Sequence, residues 1–441
     1  MLCRCSLRQS RIFPQSTSSP TPPCGVSVSA SKNRVTASQL IGSTPAAAVR
    51  AISLPVHHCL ASWADHSKPA APPIVLVACS GGADSMALAV SAIDSAHRLG
   101  LPIHSVTVDH GLRPGSADEA ATVAAYLQEM GACAHRRGPH LEGPSGTFFD
   151  EKPIFHLSPD LEGHGPEGDA RTLRYGAIAR LAHELYEDAG GRSTVLILLG
   201  HTMDDQAETV LLRLARGSGV GSLQSMAHTR PFPLTVAPGL VSADSPVEAM
   251  LLRPLLGVRR AHTLAFCQEL GCPTVDDPTN AIDGPWKSAD GSPLRRSAIR
   301  HRVLPAIGEA LAMDPVPALA RTAELARDDN EALEHYASHS FATAVRPLVS
   351  NEGNEGAGLA LDIETIASLP RALRRRVLRH ACVGAGVKAG NLSAEHLMRV
   401  DELMTAWKGQ GPIHLPQLQV WRTKDSANRP VLCFAPKAPG S

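Results

Sequence analysis

The sequence predicts a doubly wound α/β domain with a parallel sheet, followed by a helical linker domain and a small α+β C-terminal domain. Two apolar runs, at residues 74–79 and 195–199, have the length and composition of strands that are buried on both faces, and residues 103–108 form a further predicted strand between them. Each predicted strand is followed by a stretch with the apolar spacing of a helix, so strands and helices alternate over about residues 73–227. This alternation is typical of a parallel sheet with helices on both faces.

Changes in composition along the chain divide it into a tail, an α/β domain, a helical linker region and a small C-terminal domain. In that order, the four regions are residues 1–70, 71–228, 229–350 and 355–435. The first has no acidic residue before Asp65 and carries scattered arginines among Ser, Thr, Pro and Ala, which predicts either a disordered tail or an organelle transit segment. A Pro-rich break starts the third region, and a stretch rich in Gly, Pro and Asp at residues 138–168 predicts a surface insertion.

The composition limits the classes of function. Lys and Arg total 42, and Asp and Glu total 42, so any nucleic-acid binding must come from local basic patches. Aromatic residues make up only 4% of the chain, which argues against recognition by many stacked bases. No apolar run approaches the roughly 20 residues of a membrane span, so no membrane partner is expected. Ten cysteines without a CxxC pair disfavour a CxxC-held zinc or iron–sulfur site and predict a reducing, cytoplasmic location, or an organellar one if the tail is a transit segment.

The strongest local signal is a glycine-rich loop between the first predicted strand and the helix after it. Its residues are Ser80, Gly81, Gly82, Ala83, Asp84 and Ser85. The glycines let the backbone approach a phosphate closely, and the start of the next helix offers unpaired N–H groups. Because no GK[ST] follows, the lysine of a P-loop is absent. We therefore predict that this loop binds the pyrophosphate of ATP, with cleavage between the α- and β-phosphates. The alternative is an ordinary glycine-rich turn.

Polar side chains also follow the other two predicted strands. Asp109 ends the second strand, and the carboxyl ends of parallel strands line the ligand crevice of such sheets. After the third strand, Thr202 and Asp205 predict a capped helix start, with His201, Asp205 and Glu208 on one side of it. Asp109 could hold Mg²⁺ or orient a nucleophile, whereas a Mg²⁺ role for Asp205 is implied only by the resemblance described below. The alternatives are a turn aspartate at 109 and acids that only complement a helix dipole at 205 and 208.

Local clusters of arginine supply the basic patches. Arg213 and Arg216 lie near the end of the helix that starts after Thr202, and could contact phosphates or form a solvated last turn. Arg371, Arg375 and Arg379 share one face of a later predicted helix, which suits a phosphate backbone as well as it suits a solvated face.

The ordered set of motifs resembles the tRNA(Ile)-lysidine synthetase family of the N-type ATP pyrophosphatase, or PP-loop, superfamily. Besides the glycine-rich loop, the matching stretches are Asp109-His-Gly-Leu-Arg113, Ala170-Arg-Thr-Leu-Arg-Tyr175, Gly200-His-Thr-Met-Asp-Asp-Gln-Ala-Glu-Thr209, Arg216-Gly-Ser-Gly219 and Leu252-Arg-Pro-Leu-Leu256. The resemblance runs from about residue 73 to 305 and continues more weakly over 361–423. It implies a Rossmann-like PP-loop domain, a tRNA-binding role for the linker region and a small C-terminal domain.

The resemblance also implies an activity. ATP and Mg²⁺ would adenylate the wobble cytidine in the CAU anticodon of tRNA(Ile), and free L-lysine would then displace AMP to give lysidine, which changes codon reading from AUG to AUA. The implied catalytic residues are Asp109, His201, Asp205, Glu208 and Arg253. The implied contacts to tRNA or adenylate are Arg171, Arg174, Arg213, Arg216, Arg300, Arg371, Arg375 and Arg379. The resemblance further implies a homodimer.

The sequence departs from the family pattern in three respects, one of which is that the insertion at residues 138–168 and the N-terminal tail have no counterpart in it. The family usually has a second histidine where this chain has Thr202, and its Arg-Asn-Arg-Ile-Arg-His stretch reads Arg296-Ser-Ala-Ile-Arg-His301. The alternative functions are a cytidine thiolase of the same superfamily, which expects CxxC cysteines, a GMP or NAD synthetase, which needs a glutaminase domain, and a degenerate tRNA-binding protein. The intact loop and acidic residues argue against the last.

Overall fold

The computed structural model describes most of the chain. The described residues are 35–66, 71–109, 111, 115–138, 150–153, 165–217, 220–232, 249–276, 278, 281–284, 287, 291–347 and 358–437. Their strands are β1 Ile74–Ala78, β2 Ile103–Val108, β3 Cys133–Gly138, β4 Asp150–Pro153, β5 Val195–Leu199, β6 Thr229–Pro231, β7 Ala249–Leu252, β8 Val345–Pro347, β9 Leu359–Asp362, β10 Ile413–Leu415, β11 Leu418–Lys424 and β12 Pro430–Pro436. Their helices are α1 Ala37–Ile41, α2 Ala47–His66, α3 Ala83–Leu99, α4 Ser116–Met130, α5 Gly165–Asp188, α6 Met203–Leu214, α7 Val220–Leu223, α8 Arg260–Leu270, α9 Arg295–Ala298, α10 Leu304–Leu311, α11 Pro315–Ala344, α12 Ile363–Ala367, α13 Arg371–Gly384 and α14 Ala394–Thr405, with a π-helical turn at Ile299–Val303 and a 3₁₀ turn at Ala389–Asn391.

Packing divides the described residues into two units. The first is formed by those within 1–200 and 229–276, and the second by those within 201–228 and 277–441. Within the described residues, the first unit holds a seven-stranded sheet in the order β4-β3-β2-β1-β5-β7-β6, and the second holds a five-stranded sheet in the order β10-β11-β12-β9-β8. The predicted fold class, a parallel α/β sheet followed by helices and a smaller α+β part, is confirmed.

The centre of the first sheet is β1, which pairs in parallel with β2 on one side and β5 on the other. Val75 and Val77 face one hydrophobic cluster, which is covered by α2, α3, α4 and α8, while Ile74 and Leu76 face the cluster beneath α5. Alternating side chains therefore enter two apolar layers, which explains why the whole strand is apolar in the sequence.

The N-terminal helices contradict part of the predicted tail. Residues 1–34 and 67–70 lie outside the described residues, but α2 is a long helix in which Ile52, Val56 and Leu60 have no exposed surface. This helix packs against α3 and α8 and belongs to the core of the first unit. The expected tail thus does not hold for residues 37–66. The helical spacing of the apolar residues predicts α2, whereas the scarcity of acidic residues predicts a tail; the spacing was the better guide.

The first sheet also extends beyond the predicted domain boundary at residue 228. β7 pairs in parallel with β5, and β6 pairs with β7 in antiparallel orientation, so both strands belong to the α/β unit and not to a helical linker region. The Pro-rich break predicts a domain end, whereas the chain returns to the sheet after it with the short apolar strand β7. Within the predicted insertion, β4 pairs with β3 at the sheet edge; residues 139–149 and 154–164 lie outside the described residues.

The second unit combines long helices with the antiparallel sheet. α11 packs against α6 and α13, and the core under the sheet includes Leu378, Leu418 and Phe434, which have no exposed surface. β10 and β11 form a hairpin, and β12 and β9 extend it to a larger antiparallel sheet. Among the described residues, no single helix is long and apolar enough to cross a membrane. The segment Arg295–Leu311 and α11 have the required length and hydropathy only when taken together, and the two are bent by 101° against each other.

Substitutions in α2 test whether this helix is part of the core. Ile52→Ala removes a side chain with no exposure and is expected to lower the free energy of unfolding by about 2–5 kcal/mol. Leu54→Ala, on the same helix but 47% exposed, is the matched control and is expected to cost less than about 0.5 kcal/mol. Urea unfolding followed by circular dichroism measures both, and equal effects would contradict the core assignment of α2.

Candidate active site

The carboxyl ends of neighbouring parallel strands bring the predicted site residues of the first unit to one edge of the sheet. β1 leads into Ser80, β2 into Asp109, β5 into Gly200 and β7 into Arg253. From β1 the chain proceeds outward to β2, β3 and β4, and it then returns to the other side of β1 with β5 and β7. The strand order therefore reverses between β1 and β5, which is the position where open α/β sheets bind their ligands.

Hydrogen bonds of the Ser85 hydroxyl hold the glycine-rich loop in shape. This hydroxyl donates to the Gly82 carbonyl at 2.9 Å, accepts from the Ser80 N–H at 3.2 Å and lies 3.3 Å from the Ser80 hydroxyl. Gly81 has φ +89°, and a Cβ there would lie 2.9 Å from methyl groups of both Val123 and Val275. Glycine is thus required at 81 by backbone conformation and by space.

Asp84, predicted to bind ATP, fixes the helix that follows the loop. Its carboxylate accepts hydrogen bonds from Arg260 Nε, at 3.1 Å, and from the Thr263 hydroxyl, both on α8. Because α3 starts at Ala83 behind an N-cap glycine, its first N–H groups have no side-chain cap. At Gly200 a Cβ would lie 3.0 Å from the Asp84 carbonyl, so the end of β5 closely approaches the start of α3. The arrangement leaves a helix N-terminus and loop N–H groups to meet an anion.

Asp109 is held rigidly at the end of β2. It is 5% exposed; its N–H donates to the Arg137 carbonyl at 2.7 Å, and its Oδ1 accepts from the Gly111 N–H at 2.9 Å. Behind it, the fully buried Arg137 pairs with Glu184 on α5 at 2.9 Å. A Cβ at Gly138 would lie 3.2 Å from the Asp109 Cβ, so the neighbouring strand end must also be small. A carboxylate is therefore presented at this edge in a fixed position.

Arg253 is a buried cation among other arginines. It is 3% exposed, and burial lowers the pKa of its guanidinium, as do the positive charges of Arg230 and Arg171, while a hydrogen bond to the Tyr175 side chain raises it. The guanidinium of Arg171 stacks over the Tyr175 ring at 5.0 Å, and that of Arg174 lies 6.0 Å from the same ring centre. This concentration of positive charge around one ring favours a phosphate or an adenylate.

In the second unit, Asp205 closes the start of α6. Its Oδ2 accepts hydrogen bonds from the N–H of Thr202 at 2.8 Å and from the hydroxyl of Thr202 at 2.9 Å. The capped helix start that the sequence predicted is confirmed. His201, directly before this cap, is half-buried.

Glu208 forms an ion pair that the sequence did not predict. It has no exposed surface, and its two oxygens accept from Arg300 Nε at 2.7 Å and from Arg300 Nη2 at 3.2 Å. Arg300 Nη2 also lies 3.8 Å from Asp205 Oδ1. The resemblance implied catalysis for Glu208 and tRNA contact for Arg300, but within the second unit they neutralise each other. Arg300 lies in the π-helical turn, a feature that is frequent at functional sites.

Comparison with known proteins places this geometry in a family. Residues 56–307 match the PP-loop domain family, and residues 361–427 match the TilS substrate binding domain. The tRNA(Ile)-lysidine synthase of Streptomyces coelicolor is 40% identical to the chain over 344 residues, which cover 78% of this chain and 81% of the relative. That of Thermobifida fusca is 39% identical over 352 residues, which cover 80% of this chain and 90% of the relative.

The chain belongs to the tRNA(Ile)-lysidine synthase family. Membership confirms the resemblance that the motifs indicated, and it makes the chain a ligase with an ATP-using PP-loop domain. The match to the TilS substrate binding domain covers residues 361–427. In this chain, that segment contains the helices α12, α13 and α14 and part of the C-terminal sheet.

The arginines on α13 differ in how far they reach solvent. Arg371 and Arg379 are exposed, whereas Arg375 is partly covered and lies 3.9 Å from Asp401. Of the predicted three-residue basic face, two members therefore project into solvent. Their contact with tRNA stays a prediction.

Arg213 and Arg216 differ in the same way. Arg213 donates to the carbonyls of Ser222, at 2.6 Å, and Ser225, at 3.2 Å, and so closes the turn between α6 and α7. Arg216 is exposed. The structural engagement of Arg213 makes it a weaker candidate for a phosphate contact than the sequence suggested.

Several residues at the strand edge were not selected from the sequence. Tyr175 is the last residue of the stretch Ala170-Arg-Thr-Leu-Arg-Tyr175. Its one local signal is an aromatic ring close to two arginines in the sequence. Arg137, Arg260 and Thr263 carried no local signal, because their partners are far away in the chain. Tertiary contacts alone identify them.

Substitutions of the Glu208–Arg300 pair test its structural role. Glu208→Gln leaves the guanidinium of Arg300 against a neutral side chain and is expected to lower the free energy of unfolding by about 3 kcal/mol. Glu208→Leu combined with Arg300→Met removes both charges and is expected to recover most of that loss. Glu309→Gln, at an exposed position of α10, is the control. A double variant that is no more stable than Glu208→Gln would contradict the pairing.

Proposed function

We propose that the protein ligates L-lysine to C2 of the wobble cytidine in the CAU anticodon of tRNA(Ile), using ATP and releasing AMP and pyrophosphate. The observation that carries the proposal is the edge of the first sheet, where a phosphate loop, a fixed carboxylate and a buried guanidinium follow three parallel strands. Membership in the tRNA(Ile)-lysidine synthase family supports the same substrates. A homodimer is included in the proposal on the resemblance alone.

In the first step, the C2 oxygen of cytidine attacks the α-phosphorus of ATP. A bond forms between this oxygen and the α-phosphorus, and the bond to the β-phosphate bridging oxygen breaks, so that pyrophosphate leaves. Residues 80–85 bind the pyrophosphate through loop N–H groups and the hydroxyls of Ser80 and Ser85. Arg253, with Arg171 and Arg174 nearby, stabilises the negative charge of the adenylate.

In the second step, the ε-amine of lysine attacks C2. A carbon–nitrogen bond forms, the bond between C2 and the adenylate oxygen breaks, and AMP leaves with that oxygen. The amine must lose a proton, and a fixed carboxylate such as Asp109 or Asp205 is suited to accept it. The product, lysidine, pairs with A in place of G, so the tRNA reads AUA instead of AUG.

The carboxylate of Asp109 fits a magnesium ion. Its Oδ1 accepts one backbone N–H, and the described residues offer Oδ2 no hydrogen-bond partner; carboxylate oxygens are the ligands that Mg²⁺ prefers. Asp205 fits less well, because Oδ2 already accepts two hydrogen bonds and Oδ1 faces Arg300. We therefore propose Asp109 as the principal protein ligand of Mg²⁺, which neutralises phosphate charge when bound, and Asp205 as the group that holds the attacking amine.

Labelling of tRNA with lysine tests the activity. Incubation with ATP, radiolabelled lysine and tRNA(Ile) bearing CAU is expected to place label in the tRNA and to release pyrophosphate in a lysine-independent first step. Asp205→Asn keeps an oxygen that can accept from Thr202 but loses the charge, so we expect the fold to persist and labelling to fall at least about a hundredfold. Asp118→Asn, in the exposed first turn of α4, is the control. Absence of label with the unaltered protein would exclude the proposal.

The salt dependence of tRNA binding tests the exposed arginines of α13. Arg371→Glu together with Arg379→Glu is expected to weaken tRNA binding and to reduce the slope of log affinity against log salt by about 1–2. Arg399→Glu, exposed on α14, controls for a general loss of positive charge. Filter binding at several salt concentrations measures the slope. An unchanged slope would identify this face as merely solvated.

A further inference from the structure

A cluster of metal-binding side chains lies at the opposite end of the sheet from the candidate active site. His104 is the second residue of β2, and Cys133 and His135 belong to β3. The strand ladder places Cys133 beside His104 and His135 beside Val106. Because side chains alternate between the two faces of a strand, all three point to the face on which Val106 packs with α5.

The donor atoms of the three side chains converge. One nitrogen of each histidine and the sulfur of Cys133 all lie within 4.8 Å of one another. His104 Nδ1 is 2.9 Å from His135 Nε2, and the rings stack with centroids 5.2 Å apart. At this distance the two nitrogens share one proton, since one ring must donate and the other accept. A cation at the same point replaces that proton and uses both lone pairs.

The distance between the two histidine nitrogens is close to that in a tetrahedral zinc site. Zinc–nitrogen bonds of about 2.0–2.1 Å place two nitrogens on one ion about 3.3 Å apart, so the rings need to separate by only about 0.4 Å. Two imidazoles and a thiolate favour Zn²⁺ over Mg²⁺ or Ca²⁺, which prefer oxygen ligands. Cys133 is a thiol and not part of a disulfide.

We propose that His104, Cys133 and His135 form a zinc site that joins β2 to β3, with a water molecule in the fourth position. The exposed Asp188, at the end of α5, lies within electrostatic reach of His104 and adds negative charge beside the cation. The ion has a structural role, because His104 and Asp109 are five residues apart on one extended strand, about 16 Å. The site is thus independent of the proposed ligation.

Cobalt titration of the full-length protein, with any affinity tag removed, tests the site. We expect about one Co²⁺ per chain, with the visible bands of a tetrahedral ion and the near-ultraviolet band of a cobalt–thiolate bond. Addition of Zn²⁺ is expected to abolish these bands. Absence of the thiolate band in the unaltered protein, or displacement by Mg²⁺ at equal concentration, would overturn the proposal.

Variants assign the ligands. Cys133→Ser, His104→Gln and His135→Gln are each expected to weaken cobalt binding by about tenfold or more, and Cys133→Ser to remove the thiolate band entirely. Cys59→Ser, half-buried like Cys133 but on α2, and His97→Gln on α3 are the matched controls. Equal binding by Cys133→Ser and the unaltered protein would contradict the assignment.

Thiol alkylation gives an answer that does not depend on the folding of any variant. In the unaltered protein, Zn²⁺ is expected to slow alkylation of Cys133 at least about tenfold and to leave Cys59 unaffected, as measured by mass spectrometry of peptides. Equal alkylation of Cys133 with and without Zn²⁺ would overturn the proposal, whatever the labelling assay for lysine shows.

Discussion

The constraint on which the first unit depends is that β1 is hydrogen-bonded on both sides and covered on both faces. Its backbone is saturated by β2 and β5, and its side chains fill two apolar layers. No ligand can reach such a strand except at its ends. The loop after β1 lies where the chain order reverses, so that helices leave the sheet in opposite directions and open a crevice. The glycine at 81 then satisfies two demands at once, the left-handed turn and the close approach of valine side chains.

Ion pairs with buried or partly buried members fix the position of the polar side chains around this frame. Arg137 pairs with Glu184, Asp84 with Arg260 and, in the second unit, Glu208 with Arg300. Such pairs return little net stability, because desolvation of two ions costs about as much as their attraction gains. Their effect is geometric, since a carboxylate held by a guanidinium fork cannot rotate away. The positions of these polar side chains therefore depend on partners that lie far away in the chain.

The sequence was sufficient for the elements that carry a local pattern. Apolar runs predicted β1 and β5, the glycine-rich loop predicted the start of α3, and Thr202 with Asp205 predicted the start of α6. Prediction failed for α2, because the scarcity of acidic residues indicated a tail although the apolar residues have helical spacing. It also failed for β7, because this strand has only four residues and follows a Pro-rich segment. The partners of Asp84 and Glu208 could not be predicted, because Arg260 and Arg300 are separated from them by 176 and 92 residues. No spacing rule connects positions so distant.

The π-helical turn at Ile299–Val303 holds one residue more than an α-helical turn of the same rise would need. Deletion of a single residue there would restore regular winding without breaking the helix. Because the wide turn absorbs the extra residue, the helical segments before and after it would keep their orientation, and Leu304 would stay in its apolar cluster. Only the side chains of the turn itself would change position, so the guanidinium of Arg300 would leave the carboxylate of Glu208. The extra residue thus serves the placement of one guanidinium and not the course of the helix.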